Sequence, residues 1–113
     1  MIDNKVEVVE LVSKMKEALP IPMYPTKAFA HLMREKGLKV KSKGEVLIEK
    51  VFYLGDEGGI MCAIVVQKQK EEVFITSLTH LRVKANHPLA KDIRAYQMRR
   101  IKKLSQINRP GLS

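Results

Sequence analysis

The chain of 113 residues contains no tryptophan, three tyrosines, three phenylalanines and a single cysteine. One cysteine excludes an intrachain disulfide, so nothing points to an oxidising compartment. The scarcity of aromatic rings weighs against a carbohydrate- or base-stacking surface. The longest uninterrupted apolar run, residues 60–66, is about three times too short to cross a bilayer as a helix. Met1-Ile2-Asp3-Asn4 shows no basic stretch leading into an apolar run, so no secretory signal is expected and the cytoplasm is the default location. There are no internal repeats and no low-complexity tract.

The last third also lacks acid. Residues 81–113 hold Asp92 against nine bases: Arg82, Lys84, Lys91, Arg94, Arg99, Arg100, Lys102, Lys103 and Arg109. Nearly all of the formal net charge of +9 therefore sits at one end. A basic end of this kind suits a polyanionic partner. The remaining composition, 45% apolar and 29% charged, is that of an ordinary globular domain. At this length residues 1–113 form one domain able to bury a core without disulfide or metal.

Residues 4–19 read as an amphipathic helix. Val8, Val12, Met15 and Leu19 recur on one face beside Val9 and Leu11, and Asn4 with Glu7 can form a capping box. Pro20 and Pro22 stop it, and residues 20–25 read as a stiff connector. Residues 26–36 form a second helix, with Thr26 as N-cap, Ala28, Phe29, Leu32 and Met33 as its buried stripe, and Gly37 in the left-handed C-cap position. Residues 38–44 read as an exposed connector in which Leu38 and Val40 begin an edge strand.

Three strands follow. Residues 45–54 are rich in Val, Ile, Phe and Tyr. Gly55 to Gly59 read as a hairpin turn that uses the positive φ open to glycine. Residues 60–67 show no alternation, which predicts a central strand covered on both faces. After a polar turn at 68–72, residues 73–83 form the third strand, broken near Ser77 or His80. Asn86-His87-Pro88 opens a helix over about 88–106, with His87 at or beside the N-cap and Pro88 at the first position. Residues 107–113 make a frayed tail. The expected fold is thus α+β, in the order α-α-β-β-β-α. A three-stranded antiparallel meander carries the N-terminal helices on one face and the last helix on the other or at an edge.

The last helix carries the functional expectation. Leu89, Ile93, Tyr96, Leu104 and Ile107 fall on one stripe, extended by Ala90 and Ile101. Lys91, Arg94, Arg99 and Lys102 lie around the far side. With Arg82, Lys84 and Lys103 they form the candidate contact set for a phosphate backbone, DNA or RNA, read mainly without sequence preference. Arg100 projects from the apolar stripe itself. Snorkelling past the helix end is the first expectation for it, and pairing with a buried acid or a dimer partner is the other. An interaction or regulatory role is the alternative function, with an acidic protein or a second copy of the chain as partner. An anionic membrane surface would also attract such a helix.

No catalytic, cofactor or metal motif stands out, and the reading is of a protein that is not an enzyme. Cys62 lies in the most apolar strand as a small hydrophobe. His31, His80 and His87 lack the paired spacings of a zinc site. Asp56-Glu57, an apolar strand and Gln67-Lys68-Gln69-Lys70 form a degenerate nuclease-like pattern. The acid-x-lysine element is not met, and Glu71-Glu72 comes too late. The first two helices suggest a weak helix-turn-helix with a long proline-rich connector.

Overall fold

The computed structural model describes residues 3–37, 44–66 and 69–107. Helix α1 spans Lys5–Ala18, and its N-cap Asn4 accepts a hydrogen bond from the Glu7 N–H at 3.2 Å. It buries Val8, Leu11 and Met15, worth about 1.5–3 kcal/mol each against exposure. Val9, expected alongside them, is exposed.

The chain then departs from expectation. Residues 20–25 are not a linker, because Ile21–Pro25 is strand β1, and it lies between two neighbours in the sheet. Proline has no N–H for a ladder and is ordinarily confined to sheet edges. The register shows why it is tolerated. Residues 21–23 pair with the next strand, and residues 23–25 pair with the last. Pro22 thus meets only one neighbour and Pro25 only the other. Ile21, Met23 and Pro25 turn inward while Pro22 and Tyr24 turn outward.

Helix α2, Lys27–Glu35, is capped by Thr26, whose hydroxyl accepts from the Phe29 N–H. Gly37 follows with φ of +87°. Its nine residues are too few to hold a helix unaided, and Phe29, Ala30 and Met33 anchor it. Leu32 and Ala28, expected in the same stripe, are exposed. A strand between α1 and α2 removes the helix-turn-helix reading. The edge strand expected at Leu38 and Val40 lies outside the described residues.

Strand β2 is Val46–Tyr53 and β3 is Ile60–Val66. They join through α3, a single helical turn over Gly55–Gly58. The Leu54 N–H donates to the Gly59 carbonyl at 2.9 Å and closes the hairpin. Gly55 and Gly59 have positive φ, whereas Gly58 does not. A bulge between Ile48 and Lys50 leaves Glu49 and Lys50 both exposed and returns Val51 to the core. As expected, β3 is buried on both faces, Cys62 to Val65 included.

Strand β4 runs Gln69–Ser77, so part of the expected polar turn at 68–72 is strand. The expected break does occur. A 3-10 turn at Leu78–His80 ends β4 and starts β5, Leu81–Val83. The two segments do not form one bent strand. The antiparallel order is β4-β3-β2-β1-β5, so they lie at opposite ends of a five-stranded sheet, not in a three-stranded meander. Four strand spacings of a flat sheet amount to about 19 Å. A 3-10 link of this length covers about 8 Å. The sheet must therefore curl until its ends approach.

Helix α4, Ala90–Ile107, closes the fold. The helix starts two residues later than expected, so Pro88 is not at its first position, and His87 Nδ1 accepts from the Leu89 N–H at 3.0 Å in the turn that leads into it. The helix packs on the 3-10 turn, on β5 and on α1. Lys14 bridges to Asp92 and Glu7 to Arg99, so α1 and α4 are antiparallel neighbours and do not take opposite faces. Gln97 Nε2 donates to the Leu78 and Leu81 carbonyls at 2.7 and 2.6 Å, fixing the turn that redirects β5.

Candidate nucleic-acid interface

The face of α4 toward the core holds Ala90, Ile93, Tyr96 and Arg100. The Tyr96 hydroxyl accepts from the Ile60 N–H at 2.9 Å, and burial pushes its pKa up to about 12. Arg100 does not snorkel. Its guanidinium donates to Asp3 Oδ2 and to the Asp56 carbonyl, each at 2.8 Å, and the two side chains of the ion pair are each 3% exposed. Desolvating both charges is repaid by that pairing and by Tyr53, whose hydroxyl donates to Asp3 at 3.1 Å. Arg100 thus fastens the segment before α1 to the last helix.

The expected contact residues divide. Lys91, Arg94, Lys102 and Lys103 are exposed on α4. Arg99 is engaged by Glu7, so part of its charge is compensated. Arg82 projects from β5 directly opposite Tyr24 of β1. Lys84 reaches Glu45 at 2.7 Å and stands 5.6 Å above the Tyr24 ring centre. Its hydrogen bond to Glu45 and that carboxylate's charge hold the ammonium above the usual lysine range.

The tertiary structure brings these elements together. Tyr24, Arg82, Lys84 and Arg94 line one open concavity of about 450 Å³. Three cations from β5, its C-terminal extension and α4 thus converge on an aromatic ring from β1. Tyr96, the one Phe, Tyr or Trp in the sequence from residue 81 to 113, is buried. Tyr24 was missed because residues 20–25 read as a connector. The alternation of Ile21 and Met23 with Tyr24 was the available signal.

Met98 and Ile101 are also exposed, although Ile101 belonged to the expected apolar stripe. With Arg94 they follow one another at i, i+4 and i+7 along α4.

The residues weighed for catalysis are scattered. Cys62 is buried, and desolvation pushes its thiol up to about 12. His31 pairs with Glu35 at 3.0 Å on the exposed side of α2. His80 lies in the 3-10 turn, its Nδ1 2.7 Å from the Thr76 hydroxyl and its ring stacked on Phe29. Asp56 and Glu57 sit in the α3 turn, and Gln67 and Lys68 lie outside the described residues. Among the described residues no three of His, Cys, Asp and Glu gather as a metal site, and no helix is long and apolar enough to cross a membrane. The chain matches no protein-family model, no curated protein and no solved structure.

Proposed function

We propose that the protein binds nucleic acid through phosphate contacts centred on the Tyr24, Arg82, Lys84 and Arg94 concavity and continued along α4 by Lys91, Lys102 and Lys103. The observation that carries this reading is the convergence of Arg82, Lys84 and Arg94 on one hollow, in which Glu45 offsets part of the Lys84 charge. A backbone phosphate needs cations presented together, and each one neutralised releases counterions. The Tyr24 ring adds a surface on which a base or sugar packs. Nothing in the hollow is arranged to read base edges, so sequence preference is weak.

A salt titration of the purified chain against labelled duplex DNA and single-stranded DNA and RNA tests it. Three to five contacts give a slope of roughly −3 to −4.5 on duplex. Arg94→Glu with Lys102→Glu abolishes binding without unfolding, because both side chains are exposed. No binding at about 50 mM salt, where the counterion term is strong, rejects the reading.

A second reading rests on Met98 and Ile101. Their exposure beside Arg94 favours an apolar and acidic protein surface, or a second copy of the chain, docked on α4. Met98→Ser with Ile101→Ser separates the two, since it weakens a protein contact and spares a phosphate contact.

A further inference from the structure

The cations of the basic surface are interleaved with apolar groups. In the hollow the apolar group is a ring. Tyr24 turns outward from β1 and stays partly exposed, with Arg82 directly opposite it on β5. The Lys84 ammonium stands 5.6 Å from the ring centre. That is beyond the roughly 3.5–4.0 Å of atomic contact, so the ammonium does not seal the ring. Arg82, Lys84 and Arg94 against Glu45 leave the hollow itself cationic. Its volume of about 450 Å³ is that of a small-ligand site.

Along α4 the same alternation recurs. Arg94, Met98 and Lys102 follow one another at steps of four residues, so they share one ridge of the helix. All three are exposed, Met98 at 72%. The two cations stand about 12 Å apart along the axis, with the thioether midway. Cation, apolar group, cation is thus the order both in the hollow and on the ridge, and Arg94 belongs to both.

That order sets the chemistry of the ligand. A duplex turns its phosphates outward and keeps the faces of its bases stacked inside. Neither Tyr24 nor Met98 has a surface to meet on it. A single strand offers phosphates and unstacked base faces in turn, and every base has a π-face for a ring to stack on. A free nucleotide would fill the hollow and leave Met98 and Lys102 unused. On the nucleic-acid reading above, we infer that the protein selects single strands over duplex. It seats one unstacked base on Tyr24 among Arg82, Lys84 and Arg94, and it carries the adjoining nucleotides along the ridge through Met98 to Lys102. Duplex DNA has the denser charge, so a preference for the single strand cannot come from phosphate contacts alone.

Fluorescence anisotropy on the full chain tests this at about 50 mM salt, where electrostatic binding is strong. The probes are a mixed-sequence single strand of about twelve nucleotides, long enough to span the hollow and the ridge, its duplex, and the same backbone with abasic sugars throughout. A nucleoside monophosphate serves as competitor. The single strand is expected to bind at least about fivefold more tightly than the duplex and than the abasic strand, which carries the same phosphates without bases. Tyr24→Leu lowers single-strand affinity by at least about fivefold, and Met98→Ser lowers it less. Both leave duplex affinity within about twofold, since phosphates alone make that contact, and an unchanged duplex affinity shows the variants to be folded. Tyr24→Phe keeps the ring and the parent affinity. The abasic comparison needs no variant, so it decides the matter even where Tyr24→Leu fails to fold. Equal binding of the abasic and the native strand overturns the proposal. So does a duplex bound as tightly as the single strand, or a monophosphate that competes as well as the strand does. The first two outcomes leave nucleic-acid binding itself standing, whereas no binding to any strand rejects that reading and the strand preference with it.

Discussion

Arg100 Nη1 donates to Asp3 Oδ2 at 2.8 Å across 97 positions of sequence, and both side chains are buried. The pair closes the molecule, because it ties the residue before the first helix to the middle of the last. Removing one partner leaves the other charge uncompensated in a dry setting. Asp3→Ala and Arg100→Leu should each destabilise the protein by about 3–5 kcal/mol. Replacing both with leucine should recover part of that loss. Urea unfolding of the single and double variants measures it.

Gly59 lies against the same cluster. Its φ is +66°, and a Cβ there would stand 2.5 Å from the Tyr96 hydroxyl and 2.7 Å from the Arg100 guanidinium. Gly59→Ala should cost upwards of about 2 kcal/mol, through both strain and overpacking. Gly58 has ordinary φ, and the atoms nearest to a Cβ there are side-chain atoms of Leu54 and Met61, the first at 3.0 Å. Gly58→Ala should change stability by less than about 1 kcal/mol. Equal effects in thermal unfolding would mean that the approach of Arg100 to Gly59 is not close.

Arg99 and Arg94 are both exposed on α4, yet they should behave differently. Arg99 is paired with Glu7 of α1, and Arg94 borders the basic hollow. Arg94→Ala should weaken nucleic-acid binding more than Arg99→Ala does. Arg99→Ala should lower stability by less than about 1 kcal/mol, as exposed pairs do. Anisotropy titrations and urea unfolding on the two variants give the comparison.

The His80 ring stacks on Phe29, and desolvation lowers its pKa from the ordinary value. In the window between its lowered folded pKa and the unfolded value near 6.5, the unfolded chain binds more protons than the native one. Stability therefore rises with pH through that window and falls as pH is lowered through it. The urea midpoint of the parent should drop between about pH 7.5 and pH 5. His80→Asn should remove part of that drop, and an unchanged pH profile would contradict it.

Cys62 has no exposed surface, and its thiol is pushed up to about 12. Alkylation needs the thiolate and access to it. At pH 8 iodoacetamide should leave the native protein unmodified and react fully in urea. Modification without denaturant would show that β3 opens locally.

Much of the local architecture was legible in the sequence, since local chemistry determines it. The Asn4 and Thr26 caps, the left-handed Gly37, the hairpin glycines and the unbroken apolar run of β3 each act within a few residues of where they stand. So does the concentration of cations after residue 81. The sheet was a different matter. Residues 21–25 alternate, but over five positions with two prolines that pattern equals a linker until the partners are known. Only the division of pairing between β2 and β5 lets those prolines lie inside a sheet. The break at Ser77 was readable. That β5 then crosses to the far end depends on the curl, which Gln97 helps to hold from α4. Arg100 stood out as a cation within the apolar stripe, and pairing with a buried acid was one of two expectations for it, but nothing near it in sequence points to Asp3 as that acid. The meeting of Tyr24, Arg82, Lys84 and Arg94 likewise arises from β1 pairing with β5 under α4. Local propensity determined the elements, and long-range pairing and burial decided which charges were consumed and which were left facing outward.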